Sequence, residues 1–238
     1  MSLILNIETS SDICSVSLGQ EGVLLDLLEG SESRDHARVL TVLIEKILKR
    51  NRLKTEDLQA IAVSKGPGSY TGLRIGVSAA KGLAYGLKIP LIAVSTPEAM
   101  TAGALAAIKR EGRKIPESTW LCPMIDARRM EVYLAFFDQS GKQQSDIQAV
   151  VVTSGSFEEI LKKRQIILFG TGSEKCREVL THPGVGFLEG IRPSAEYMIS
   201  LSRKNLRKQI FADVAYFEPF YLKEFMATTP KNMLKTER

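Results

Sequence analysis

Cysteine, histidine and tryptophan are scarce in this chain of 238 residues, with three, two and one of them. Cys14, Cys122 and Cys176 are scattered and odd in number, and the first two sit inside apolar runs. That pattern excludes a disulfide framework and a cysteine zinc site, and favours buried thiols in a reducing, cytoplasmic compartment. His36 and His182 stand at no metal-ligand spacing, and neither joins a nucleophile-elbow motif, so hydrolase chemistry has little to work with. No run approaches the ~18 apolar residues of a membrane span. The opening MSLILNIETSS lacks a basic segment and reads as a first strand, not a signal peptide. Walker A and GxGxxG fingerprints are both missing.

What is present is a soluble globular composition, 44% hydrophobic and 25% charged. The net charge of +5 permits contact with nucleic acid without requiring it. Residues 65–76, KGPGSYTGLRIG, follow an apolar strand at 60–64 and open a small-residue helix at 69–87. A strand, a glycine loop and a helix N-terminus can cradle phosphate, with Gly66 and Gly68 letting backbone approach. A tight turn with close helix packing accounts for the same residues.

Around that stretch, strands at 3–7, 13–18 and 23–28 form a meander. A helix capped by Ser33 or Asp35 then runs to about Arg50. Its apolar residues Val39, Leu40, Val42, Leu43, Ile44, Ile47 and Leu48 cover more than the ~100° stripe of one contact, which predicts a second partner. Gly72, Gly76, Ala79, Ala80 and Gly86 predict close approach of another helix to 69–87. A strand at 91–94 and a helix at 97–109 close this half. After a polar linker at 112–117 the pattern restarts: strands at 120–125, 131–137 and 147–152, a helix at 156–164 and a strand at 166–169. Gly170-Thr171-Gly172-Ser173 then opens a helix to about Leu180, followed by a strand at 185–188 and a helix at 194–208. The chain thus reads as α/β, with two βββαβα-type subdomains, 1–111 and 112–238, the last residues packing back or fraying. Element order of this kind resembles the actin-like (ASKHA) ATPase fold.

Candidate sites follow. Glu8, Thr9 and Ser10, in an acidic turn with Ser11 and Asp12, and Gly170 with Gly172 could hold phosphates from opposite sides; self-satisfied turns explain both equally. Asp126-Ala-Arg-Arg-Met-Glu131 could grip an anion through Arg128 and Arg129, or be a solvated hairpin. His36 reads as a capping or surface residue rather than a ligand.

The stretches ILNIETSSDICSVSL, SRDHARVL, KGPGSYTGLRIG, PLIAVSTPEA and DARRMEVYLAFF, in this order over about the first 140 residues, closely resemble the TsaB (YeaZ) family. The closing VAYFEPFYLKEF resembles that family's last segment, with Lys223 where the family has arginine. The resemblance implies a bacterial accessory protein of tRNA N6-threonylcarbamoyladenosine (t6A) synthesis. It would be a non-catalytic scaffold binding and activating a TsaD-type transferase, joined by a TsaE-type ATPase, and would meet tRNA through the complex. The same resemblance implies that helices 36–50 and 69–87 pair with the partner, or with a second copy when the chain is alone. The interface would then use Val39, Leu40, Leu43, Ile44, Ile47, Gly72, Leu73, Gly76, Ala79 and Ala80. The related transferases carry His-x-x-x-His where this chain has Ser95-Thr96-Pro97-Glu98-Ala99-Met100, so no catalytic metal site is expected. No cofactor of its own follows, although a nucleotide could sit at the partner interface. Two rivals remain: a small actin-like ATPase or kinase, and a direct tRNA-binding module using Arg203, Lys204, Arg207 and Lys208.

Overall fold

A computed structural model describes residues 2–30 and 36–222. Ser33, Asp35, Lys223 and the 228–238 tail lie outside the described residues.

The first sheet has the order β3-β2-β1-β4-β5. Its strands are β1 (Leu3–Glu8), β2 (Cys14–Gln20), β3 (Val23–Gly30), β4 (Ala60–Ser64) and β5 (Leu91–Val94). The meander β1-β2-β3 is antiparallel, while β4 and β5 add in parallel beside β1. β1 and β4 are buried on both faces, which is why they read as largely apolar runs without alternation, interrupted in β1 by the buried Asn6. The second sheet comprises β6 (Trp120–Asp126), β7 (Glu131–Leu134), β8 (Gln148–Val151), β9 (Ile166–Phe169) and β10 (Val185–Phe187). Its order is β10-β9-β6-β7-β8, the first sheet's order repeated strand for strand. This repeat is the actin-like arrangement, with one strand more per half than a βββαβα unit supplies.

Helices α1 (His36–Arg50), α2 (Tyr70–Leu87) and α3 (Thr96–Arg110) follow β3, β4 and β5. Among the described residues of the second half, only a four-residue α4 (Glu158–Leu161) and a late α5 (Ile199–Arg207) are α-helical. The helix expected at 156–164 is cut short where Phe157 enters it in left-handed backbone (φ 72°). Of the helix expected at 173–180, only a 3-10 turn, Glu174–Cys176, forms. Its backbone closes mostly from i to i−3, with Cys176 and Leu180 both in the core and joined by one i−4 bond, Leu180 N–H to Cys176 O. The helix expected at 194–208 starts as another 3-10 turn, Ala195–Met198.

Two helices cross between the halves. Met100, Ala104 and Ile108 of α3 pack with Leu121, Ile125 and Phe169 of the second sheet. Met198, Leu201 and Leu206, around α5, pack with Ile4, Ala62 and Ile92 of the first. The chain then returns along β5, where Ala212 N–H donates to Leu91 O (2.8 Å), and reaches the glycine loop, where Phe220 N–H donates to Lys65 O (2.7 Å). A cut at 111/112 therefore divides sequence halves but not packing units.

Candidate functional site

The glycine loop and the acidic turn, far apart along the chain, interlock. β1 and β4 run parallel, so Glu8 and Ser64 end side by side and their loops leave in the same direction. Ser69 caps α2, its Oγ accepting from Gly72 N–H (3.2 Å), while Ser69 N–H donates to Ser10 O (2.7 Å). A Cβ on Gly68 would lie 2.4 Å from Ser10 O, on Gly72 2.1 Å from Thr9 O, and on Gly76 2.2 Å from Thr9 Oγ1. These glycines admit the Thr9–Ser10 turn, not a neighbouring helix, which corrects the reading of Gly72 and Gly76. The phosphate cradle is filled by the chain's own backbone.

Glu8 is fully buried. Burial holds its carboxyl above the usual carboxylate range, partly offset by hydrogen bonds from Ser10, Ser64 and Thr9; Ser10 N–H donates to Oε1 at 2.6 Å. His36 is buried too, with Nε2 3.2 Å from Asp12 O and Nδ1 beside Gly72. It pins α1 to the acidic turn and is not a surface residue. Burial pushes the Cys14 thiol up to about 12 and raises Cys122 as well, so these sulfurs are inert.

Helix α1 resolves the surplus of apolar residues. Leu40, Leu43, Ile44, Ile47 and Leu48 are buried within the chain, because α1 packs on β2 and β3 and has α2 alongside it on the same sheet. The second partner predicted for this helix is thus α2 itself. Gly72, Leu73, Gly76 and Ala80 are buried as well, and Val39 and Ala79 half-buried. What remains outside is Val42 on α1, 39% exposed among the polar Arg38, Thr41, Glu45, Lys46, Lys49 and Arg50, and Thr71, Arg74, Ser78, Gly82, Tyr85 and Gly86 on α2. A Cβ on Gly82 or Gly86 would meet nothing within 4 Å.

A clamp on α2 escaped the sequence reading. The Arg74 guanidinium lies 4.3 Å over the Tyr70 ring and 5.9 Å from that of Tyr221, and its Nε donates to Tyr221 OH (3.2 Å). Lys81 Nζ donates to Ala215 O and Phe217 O, both at 3.0 Å. The returning segment is thereby strapped along the helix. The aromatic run around residue 217 was its available signal.

In the second half, Gly170 (φ 105°) and Gly172 pass beneath Met124, Met100 and Val132, where added Cβ atoms would come within 2.8 Å. Thr171 Oγ1 accepts from Asp126 N–H (3.1 Å), and Lys175 pairs with the Asp126 carboxylate. With a 3-10 turn after this loop, the phosphate-receiving helix N-terminus expected there does not form. A cavity of about 390 Å³ opens beside it, lined by Gly170, Thr171, Ser173 and Arg177 among others. Arg177 is held across it by Glu174 and Glu189, each at 3.1 Å. Arg128 and Arg129 occupy the β6–β7 turn, both exposed.

The first turns of α3 hold Thr96, Pro97, Glu98, Ala99 and Met100 behind Ser95. Hydroxyls and one carboxylate do not make a transition-metal site, and no group of three His, Cys, Asp or Glu gathers among the described residues. No helix there is long and apolar enough to cross a membrane.

A family model described as TsaD, tRNA N6-adenosine threonylcarbamoyltransferase, matches residues 30–228. The chain is 30% identical over 230 residues to the tRNA threonylcarbamoyladenosine biosynthesis protein TsaB of Escherichia coli K12, covering 94% of this chain and 96% of that one. It is 32% identical over 180 residues to the protein of the same name from Bacillus subtilis 168, covering 74% of each. The crystal structure of YeaZ from Pseudomonas aeruginosa superposes with a TM-score of 0.75 at 26% identity, over 93% of this chain and all of that one. With likeness of this degree over nearly its whole length, the chain belongs to the TsaB (YeaZ) family.

Proposed function

We propose that this chain is a non-catalytic subunit of bacterial t6A synthesis that binds and activates a TsaD-type transferase. One observation carries the reading: where the related transferases have His-x-x-x-His, α3 begins Thr96-Pro97-Glu98-Ala99-Met100, residues that cannot hold a catalytic metal. The filled cradle supports it, since Gly68, Gly72 and Gly76 enclose the Thr9–Ser10 turn where an ATPase or kinase would need room for phosphates. The partner would dock on the outer face of α1 and α2, over Val42, Ser78, Gly82 and Tyr85, in place of the buried residues inferred from the sequence. Bare helix backbone at Gly82 and Gly86 allows a partner helix to approach closely. In this reading the chain forms a homodimer through the same face when alone. A TsaE-type ATPase joins the pair, tRNA is met through the complex, and any nucleotide belongs to the partner interface. The setting is cytoplasmic.

Reconstitution tests the proposal. Labelled threonine incorporation into tRNA is measured with the transferase, the ATPase and the adenylate-forming enzyme, with and without this chain. Incorporation that requires the chain, while the chain alone neither hydrolyses ATP nor modifies tRNA, is the expected result. Equal incorporation without it, or ATP turnover by the chain alone, overturns the reading.

A further inference from the structure

Left-handed backbone is costly for a residue with a Cβ, and at most places in this chain the reason for it is visible. Arg52, Lys88 and Gln209 (φ 57°, 56° and 55°) each stand just beyond a helix end, where such a residue closes the last turn. Glu21 (φ 51°) sits beside Gly22 in the β2–β3 turn, and its carboxylate holds Ser2 N–H and the Arg203 guanidinium. Phe157 turns the chain into α4, its ring edge-on to Phe136 at 5.5 Å.

Arg128 and Arg129 differ from all of these. They are consecutive, with φ 73° and 48°, at the tip of the β6–β7 hairpin. Glycine or asparagine would make such a turn without strain. The adjacent carboxylate of Asp126 is already engaged by Lys175 Nζ and by Arg128 backbone N–H (2.9 Å). Among the described residues neither guanidinium has an ion pair, a hydrogen bond or a ring to stack on. The turn keeps two exposed, unengaged guanidiniums in a conformation that disfavours them, and the fold itself gains nothing from either.

We propose that Arg128 and Arg129 form a contact site for the phosphodiester backbone of RNA. The inference rests on reading the chain as part of a tRNA-modifying assembly. Planar guanidinium forks match pairs of phosphate oxygens, and two in succession can follow a backbone. The chain's net charge of +5 adds a favourable field for such a polyanion.

The test uses the full chain in complex with its transferase and an unmodified tRNA transcript, with Kd measured across a salt series. Two double variants are compared, Arg128→Asn with Arg129→Gly, and Arg128→Gln with Arg129→Gln. Both should bind tRNA more weakly and flatten the log–log salt slope by about 1 per arginine, ~2 together. The Asn-Gly variant should also melt at a higher temperature, because its backbone fits the turn. A control, Lys204→Ala with Arg207→Ala and Lys208→Ala on exposed positions around the end of α5, should keep the parent slope. Unchanged slopes in both arginine variants overturn the proposal, as does loss of slope in the α5 control alone. Weaker transferase binding with an unchanged slope overturns it in favour of an acidic protein partner. If tRNA modification needs the chain while the slopes do not move, this inference fails alone; if modification does not need the chain, the parent reading fails whatever the slopes.

Discussion

The inner and outer faces of the α1–α2 layer both carry glycines of α2, and there the glycines serve opposite ends. On the inner face Leu43, Ile47, Gly72 and Gly76 are buried, the glycines because the Thr9–Ser10 turn needs their space. On the outer face Val42, Ser78, Gly82 and Gly86 are exposed, and the two glycines have open space around them. A glycine within α2 thus marks contact at one end of the helix and bareness at the other. Sequence spacing alone does not tell these apart, because both sets repeat at three or four residues.

The largest effect should come from breaking the inner face with a charge. Ile47 is fully buried in the core shared by α1, α2 and the first sheet. Ile47→Asp leaves a carboxylate there without a partner, at a cost on the order of 5 kcal/mol. That is comparable with the ~5–15 kcal/mol that holds a domain together. The variant should be unfolded, or nearly so, by far-UV circular dichroism at 25 °C. A folded Ile47→Asp chain that merely fails to bind its partner would return Ile47 to the interface.

Gly72→Ala should come next. Its Cβ would lie 2.1 Å from Thr9 O, a backbone atom that cannot swing aside as a side chain can. Overpacking of this kind costs about 1–3 kcal/mol, and occasionally more. Denaturant unfolding should show a lowered midpoint with an unchanged slope. A neutral result would mean that the acidic turn is not seated on α2.

The buried acid beneath this contact adds a pH dependence. Burial raises the Glu8 pKa in the folded chain above its unfolded value near 4.5, so between the two values the folded state holds more protons. Stability from this group is therefore complete below about 4.5 and declines as pH rises through the folded pKa. Glu8→Gln should remove that decline, so its melting temperature should gain on the parent's as pH increases. Parallel melting curves across pH would mean that Glu8 is not buried as described.

Much of the fold was legible because its signals are local. Alternating and continuous apolar runs located the strands, and the repeated meander gave both sheets. Length and partner were harder to read. The 174–180 segment carries helix-compatible residues with Cys176 and Leu180 on one side, yet only Glu174–Cys176 closes, as a 3-10 turn; nothing in the local sequence marks the shorter, tighter form. The crossing of α3 and α5 between the halves depends on contacts nearly a hundred residues apart, as where Tyr197 lies against Gly103. No periodicity encodes those. For the candidate site, the glycine loop and the acidic turn were both found, but not that each is the other's ligand. The Arg74–Tyr70–Tyr221 clamp was missed because its members are ordinary surface residues until the chain's return brings them together.

The smallest effect on stability has the opposite sign and separates the two faces most sharply. Gly82 lies inside α2, exposed, with nothing within 4 Å of an added Cβ. Alanine there removes the backbone entropy that glycine loses in a helix, so Gly82→Ala should stabilise the isolated chain by about 1 kcal/mol. The same substitution at Gly72 should destabilise it, so one pair of melting curves measures the difference between the faces directly. Partner binding supplies the second axis. If a helix of the transferase crosses α2 at Gly82, then Gly82→Ala should weaken the complex, and Gly82→Leu should weaken it further, while both chains remain at least as stable alone. Isothermal titration against the transferase would show this as a loss of affinity accompanied by a gain in melting temperature. Unchanged affinity for the leucine variant would place the partner elsewhere and leave the bare stretch of α2 without a use, because a glycine that neither packs nor binds only costs the helix stability.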